Sequence, residues 1–303
     1  RSPLLRTTIE VDEIGERPTS GAPRFRVLGE VTASVGLGRL AGVSPGRTAR
    51  QQLPRPQLWT PGAAAPWADL APDRRSLSAR AVRRRLGDGV LEQAPAVPPA
   101  HEGAAAVLAV LEPDAQGGLE VVITRRGERM RTHRGELSLP GGAQDPGETL
   151  VRTALREASE EVGLAHEDVD IVGRLFPLRT ASSGRWIVPY VALAKNGPPV
   201  WAASPVEVEE VLHVPLAHLV TPGVFWEERW DFGGTSWPIS FFDLGPDVIW
   251  GATAAMLRDL LARLLGVPVE PRQDSPLWLP PSETQRQPST RPRTDPSPQS
   301  GRL

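Results

Sequence analysis

The chain reads as an α/β protein, and three observations carry that reading. Runs rich in valine, isoleucine, leucine and aromatic residues, bounded by Gly, Pro and Asp, recur between residues 104 and 244, as strands do. Residues 150–162 contain neither Pro nor Gly and space Val151, Leu155, Ala158 and Val162 three or four apart, the mark of an amphipathic helix. Near the end, Met256, Leu257, Leu260, Leu261, Leu264 and Leu265 form a second apolar helical stripe. Strands alternating with helices build layered α/β domains.

In chain order, residues 77–86 (LSARAVRRRL) are expected to form a short basic helix that packs on the domain after it. Residues 104–111 and 119–124 are strands joined by a turn region containing Pro113, Asp114, Gly117 and Gly118. The helix over 150–162 follows. Strands are then expected at 169–178, 186–194 and 208–214, with a short helix at 216–220. Strands at 225–232 and 237–244 come next, and the chain runs from Ile249 into a last helix over 253–265.

The flanks have a different character. Residues 1–70 are rich in Pro, Gly, Ser, Thr and Arg and begin without a methionine, so they read as a flexible or non-native N-terminal region. They lack the continuous apolar stretch of a secretory signal. Residues 71–99 are a short helix and linker, 100–266 the folded domain, and 267–303 a disordered tail of Pro, Ser, Gln and Arg. The closing Gly301-Arg302-Leu303 is not the Ser-Lys-Leu peroxisomal signal.

Composition excludes several functions. With 34 basic and 36 acidic residues the formal net charge is −2, so no whole-chain attraction to nucleic acid or membrane is implied. The absence of cysteine rules out disulfides, thiolate metal sites and a cysteine nucleophile. No apolar run reaches the roughly 18 residues of a spanning helix. A cytoplasmic location fits these features.

The chemistry is concentrated in residues 142–164, GAQDPGETLVRTALREASEEVGL. At about 100° per residue, Glu157, Glu160 and Glu161 fall on one side of the 150–162 helix, clear of the apolar stripe. Like charges one turn apart repel, so the cluster is either a solvated face or a site for hard cations. In front of it, Pro140, Gly141, Gly142, Pro146 and Gly147 make a rigid loop able to bring backbone groups close to a ligand.

Read whole, Gly142, Glu148, Arg156, Glu157, Ala158, Glu160, Glu161, Gly163 and Leu164 fill every fixed position of a Nudix box, which the segment resembles. The resemblance implies an α/β/α sandwich with a mixed sheet and a loop–helix–loop motif that binds Mg²⁺ or Mn²⁺ and hydrolyses a diphosphate. Carried over by position, Glu157, Glu160 and Glu161 would be metal ligands, with the Gly142 carbonyl a further one. Arg156 and Glu148 would brace the loop, with Arg156 in an ion pair to Glu148 or Glu157.

Upstream, residues 122–142 (VITRRGERMRTHRGELSLPGG) resemble the segment that precedes the box in coenzyme A-cleaving Nudix enzymes. Thr124, Arg126, Arg131, Gly135, Pro140, Gly141 and Gly142 occupy corresponding positions, whereas Val122-Ile123, Gly127 and Leu139 depart from the pattern. Thr124, Arg126, Arg131 and Gly135 are the expected substrate-binding positions. The run Arg125, Arg126, Arg129, Arg131 and Arg134, with His133, also suits phosphate oxygens. Beyond the box, Glu207 is expected to help activate water, with Glu209 and Glu210 as competitors.

The resemblance thus implies a pyrophosphatase of coenzyme A or acyl-coenzyme A, giving 3′,5′-ADP and 4′-phosphopantetheine or its acyl form. Its partner is a small molecule, with no nucleic acid and no membrane, and a homodimer is a possible assembly. Another nucleoside diphosphate derivative, ADP-ribose or NADH, is the alternative substrate, although the sequence array of NADH-cleaving relatives is absent after the box. A non-catalytic ligand-binding module is the alternative of a different class, against which the intact glutamate set argues.

Overall fold

The computed structural model describes residues 53–75, 77–86, 104–127, 135–180, 185–204, 206–232 and 234–268. A mixed sheet lies at its centre. Strands β2 (Ala105–Pro113) and β8 (Trp186–Ala194) run parallel from Ala105 opposite Ile187 to Leu111 opposite Leu193. Around this pair lie β3 (Leu119–Arg126), β4 (Leu137–Ser138), β5 (Gly141–Ala143), β6 (Val169–Arg174), β7 (Leu178–Arg179) and β9 (Val208–Pro215), all joined antiparallel. A second antiparallel sheet has the order β1 (Trp59–Pro61), β10 (Phe225–Phe232), β11 (Thr235–Asp243) and β12 (Val248–Trp250).

The pleat of β2 sorts the core into two halves, because successive side chains leave opposite faces of a strand. Ala106, Leu108 and Val110 face Ala154, Ala158, Val162 and Leu164 of helix α2 (Leu150–Val162) and the turn after it. Val107, Ala109 and Leu111 join the larger cluster built with α1 (Ala79–Leu86) and α4 (Gly251–Leu265). Helices therefore cover both faces, and the α/β/α sandwich is the fold observed. Fully buried Val162 and Leu164 each contribute roughly 1.5–3 kcal/mol by burial.

Helix α2 spans the residues its sequence predicts. It stops at Gly163, whose φ of 72° lies in the left-handed region. The Gly163 amide donates to the Ser159 carbonyl, the 5→1 bond of an αL cap, and the Leu164 amide donates to the Ala158 carbonyl. The strand expected over 169–178 is broken into β6 and β7, and β12 precedes the last helix where only a run-in was expected.

The expectation of a flexible stretch through residue 70 is corrected for its described part. Strand β1 pairs with β10, Trp59 opposite Trp230, and Trp67 is 1% exposed against Phe225 and Phe242. Arg55 pairs with Glu228, whose carboxylate also accepts the indole N–H groups of Trp226 and Trp230. Pro and Arg in this stretch resemble disorder by composition, but sparse tryptophans and a three-residue edge strand suffice to dock it. Residues 1–52, most of the linker and the tail from 269 lie outside the described residues. A short α3 (Leu216–Leu219) links β9 to β10.

Candidate functional site

The site is built where β5, the second half of α2 and the end of β3 meet. Strand β5 pairs with the beginning of β2, placing Gly142 opposite Ala106. A β-carbon on Gly142 would lie 2.4 Å from the carboxylate of Glu157, so the loop backbone approaches that carboxylate as only glycine permits. Gly141 is equally constrained, because a β-carbon there would lie 2.3 Å from the Ala106 carbonyl oxygen.

Arg156 organises the loop. Its Nε and Nη2 donate to the two Glu148 carboxylate oxygens at 3.1 and 3.2 Å, Nη1 donates to Glu157 at 3.0 Å and Glu160 at 3.3 Å, and Nη2 also reaches the Ala143 carbonyl at 3.1 Å. The sequence expectation offered Glu148 or Glu157 as its partner, and both bind it. These contacts raise the arginine pKa further, chiefly through the Glu148 hydrogen bond, and hold the Glu148 carboxyl below its ordinary range. Thr153 donates its hydroxyl to Glu148 at 2.8 Å. Sequence reasoning missed this contact, whose only trace is a hydroxyl buried on the inner side of the helix.

The three helix glutamates do not share one environment. Glu160 is 59% exposed in its side chain, as a solvent-facing position should be. Glu161 is only 5% exposed, so the picture of all three clear of the core needs correction. The loop amide of Gly141 donates to its carboxylate at 3.0 Å and Arg126 Nη1 lies 3.9 Å away, and together these groups roof it over. Burial pushes the Glu161 carboxyl up to about 7, opposed by the Gly141 amide and Arg126. Burial also raises Glu157, against the pull of Arg156.

Glu207 approaches from the other side. Ala202 and Ser204 donate their amides to the carbonyls of Val162 and Glu161 at 2.9 and 2.8 Å, tying this loop to the end of α2. The Gly127 amide donates to the Glu207 carbonyl at 2.9 Å, tying it to the end of β3. The Glu207 charge raises the pKa of both Glu157 and Glu161. Of the competitors, Glu209 is exposed and Glu210 is paired with Arg125.

The upstream motif divides on inspection. Arg126 stands at the site, its side chain 25% exposed and its buried Nε without a hydrogen-bond partner among the described residues. Thr124 is 1% exposed and its hydroxyl is engaged with Ser138, so it braces β3 against β4 rather than reaching a ligand. Gly135, with φ 65°, donates to the Arg126 carbonyl. Arg125 is not an anion binder, being 2% exposed and paired with Asp247 and Glu210. Arg129, Arg131, His133 and Arg134 lie outside the described residues.

The departures from the motif also find places. Leu139 is 2% exposed in the core cluster with α4, and Val122 and Ile123 are fully buried. A β-carbon on Gly127 would meet only ordinary contacts, at 3.4 Å from the Val206 carbonyl oxygen and beyond. Among the described residues, one trio outside the box, Glu112, Glu120 and His213, brings its ligand atoms within 4.8 Å of one another and could hold a metal ion. It lies at the far end of β2 from the β5 pairing, and Glu112 there already binds Trp201 and His213.

Comparison with known proteins bears on the family. The model of the NUDIX domain matches residues 101–232. The uncharacterized Nudix hydrolase NudL of Photorhabdus laumondii is 33% identical over 46% of this chain and 74% of its own length. NudL of Yersinia enterocolitica is 31% identical over 53% of this chain and 80% of its own. Nudix hydrolase 22, chloroplastic, of Arabidopsis thaliana is 37% identical over 50% of this chain and 52% of its own.

The chain belongs to the Nudix hydrolase family, whose members hydrolyse diphosphates in nucleoside diphosphate derivatives and generally depend on divalent metal. Among the described residues, no helix is long and apolar enough to cross a membrane.

Proposed function

We propose that the chain is a divalent-metal-dependent diphosphatase of coenzyme A or its acyl esters, releasing 3′,5′-ADP and 4′-phosphopantetheine or its acyl form. The observation that carries this reading is Arg126, set 3.9 Å from a buried box glutamate with an unsatisfied buried Nε. A buried donor without a partner is costly, and a phosphate oxygen offers the charge-assisted bond that removes the cost. The spacing of Arg126, Gly135 and Pro140-Gly141-Gly142 resembles that of coenzyme A-cleaving Nudix enzymes and supports that substrate.

The donor set fits the expected cation. Glu157, Glu160, Glu161 and the Gly142 carbonyl are hard oxygen ligands of the kind Mg²⁺ and Mn²⁺ prefer, and the glycine cradle beside Glu157 leaves no side chain in the way. The cation, when bound, supplies a more acidic water and offsets charge on the diphosphate. Arg156 holds Glu148, Glu157 and Glu160 in one constellation. Arg126 neutralises and orients a phosphate oxygen, and Glu207, on the opposing loop, takes the proton of the attacking water.

The test is direct. Purified protein with Mg²⁺ or Mn²⁺ is expected to release 3′,5′-ADP from coenzyme A, followed by chromatography, beside a panel of ADP-ribose, NADH and dinucleoside polyphosphates. A higher kcat/KM for a compound lacking the 3′-phosphate would replace the substrate. Failure to cleave any diphosphate would remove the catalytic reading.

A further inference from the structure

Arg125 and Arg126 are neighbours on β3 and serve opposite faces of it. Arg126 looks toward Glu161, whereas the Arg125 fork is spent on two carboxylates from distant parts of the chain. Its Nη1 and Nη2 donate to the two oxygens of Asp247, just before β12, at 3.1 and 2.7 Å, and its Nε donates to Glu210 on β9 at 3.0 Å. The register between β3 and β9 shifts at this point, with Arg125 opposite Glu210 but Arg126 opposite Val208. Glu209 is thus the extra residue of a bulge, a device that re-aims side chains beside sites. Immediately beyond it, the Gly127 amide holds the Glu207 carbonyl.

We infer that Arg125 is a positioning residue for the diphosphatase reaction: its three-way pairing with Asp247 and Glu210 locks the β3–β9 bulge that sets Arg126 and Glu207 against the box glutamates. A one-residue slip in a strand pair turns every side chain to the other face. Without the bulge Arg126 would stand opposite Glu209, and Glu207 would be carried one residue past Gly127, away from the box glutamates. Buried ion pairs add little net stability compared with well-packed apolar residues, so the value of this one lies in the register it fixes. The inference rests on the roles proposed above for Arg126 and Glu207 in the diphosphatase reaction.

The test compares the full chain with Arg125→Met/Asp247→Leu, which replaces the buried pair by apolar residues of similar volume, and with Arg125→Lys. Thermal midpoint, amide hydrogen exchange at Gly127 and Val122, and kcat and KM on the substrate that the wild type cleaves are read together. The double variant is expected to keep a near-wild-type midpoint and Val122 protection, lose Gly127 protection, and drop kcat by on the order of tenfold to a hundredfold, as misplacement near 1 Å does. Arg125→Lys retains one charge contact and is expected to recover part of both losses.

Wild-type kcat and Gly127 protection in the double variant would overturn the proposal. A lowered midpoint with unchanged kcat would do the same, by reducing Arg125 to a structural pair. Should the double variant fail to fold, Arg125→Lys decides by the same two readouts, since a single ammonium cannot bridge both carboxylates as the fork does. An inactive wild type would count against the family reaction, while the exchange at Gly127 would still report on the bulge.

Discussion

Two adjacent glycines would fail for different reasons. A β-carbon on Gly142 presses on the end of the Glu157 side chain, which can swing away, whereas one on Gly141 meets the Ala106 backbone, which cannot. Gly142→Ala is therefore expected to leave the thermal midpoint nearly unchanged and weaken Mn²⁺ binding and kcat together, measured by titration calorimetry and steady-state kinetics. Gly141→Ala is expected to destabilise the fold itself, which a denaturant melt would register. Glu161 makes a prediction of the opposite sign to most buried residues. Its carboxyl sits at about 7, above the ordinary value of 4.5, so ionising it costs stability. In metal-free protein that cost is absent below the unfolded value, grows as pH rises, and is complete above the folded one. Glu161→Gln in the presence of chelator is thus expected to be more stable than wild type at pH 8, by on the order of 3 kcal/mol, and equal to it at pH 4. The same variant should lose kcat by orders of magnitude with metal present, and retained activity would separate Glu161 from the cation.

Elements were legible in the sequence where periodicity and punctuation agreed. Helix α2 has a clean apolar stripe and a glycine at its end, and its observed bounds are the expected ones. Replacing Gly163, at φ 72° and with a β-carbon position 3.0 Å from Ala202, by alanine is expected to cost about 1 kcal/mol or more, read from the shift of a urea midpoint. What composition hid was β1, because three residues paired at a sheet edge have no period to detect. Trp67 is its anchor in the core, and Trp67→Ala should cost about 3–5 kcal/mol. The site divides the same way. Box spacing singled out the glutamates and Arg156 as candidates, but a helical projection cannot tell that a loop amide and Arg126 will close over Glu161 while Glu160 stays in water. Nor does a run of arginines distinguish Arg126, turned to the site, from Arg125, consumed by Asp247.

For the whole molecule, the boundary of the working unit falls earlier than composition implies. Residues 53–70 contribute β1, the Arg55–Glu228 pair and Trp67 to the core. A chain beginning at residue 53 is expected to keep activity, and one beginning at residue 71 to lose most of its folded fraction at 37 °C, judged by circular dichroism and turnover side by side. Equal behaviour of the two truncations would detach that stretch from the enzyme.

The loop that carries Glu207 is fastened to α2 and β3 through the main-chain groups of Ala202, Ser204 and Gly127. Such a fastening is blind to side-chain identity. Positions 203 and 204 can therefore drift in sequence without disturbing the carboxylate beyond them, whereas Ala202 stays small against Gly163.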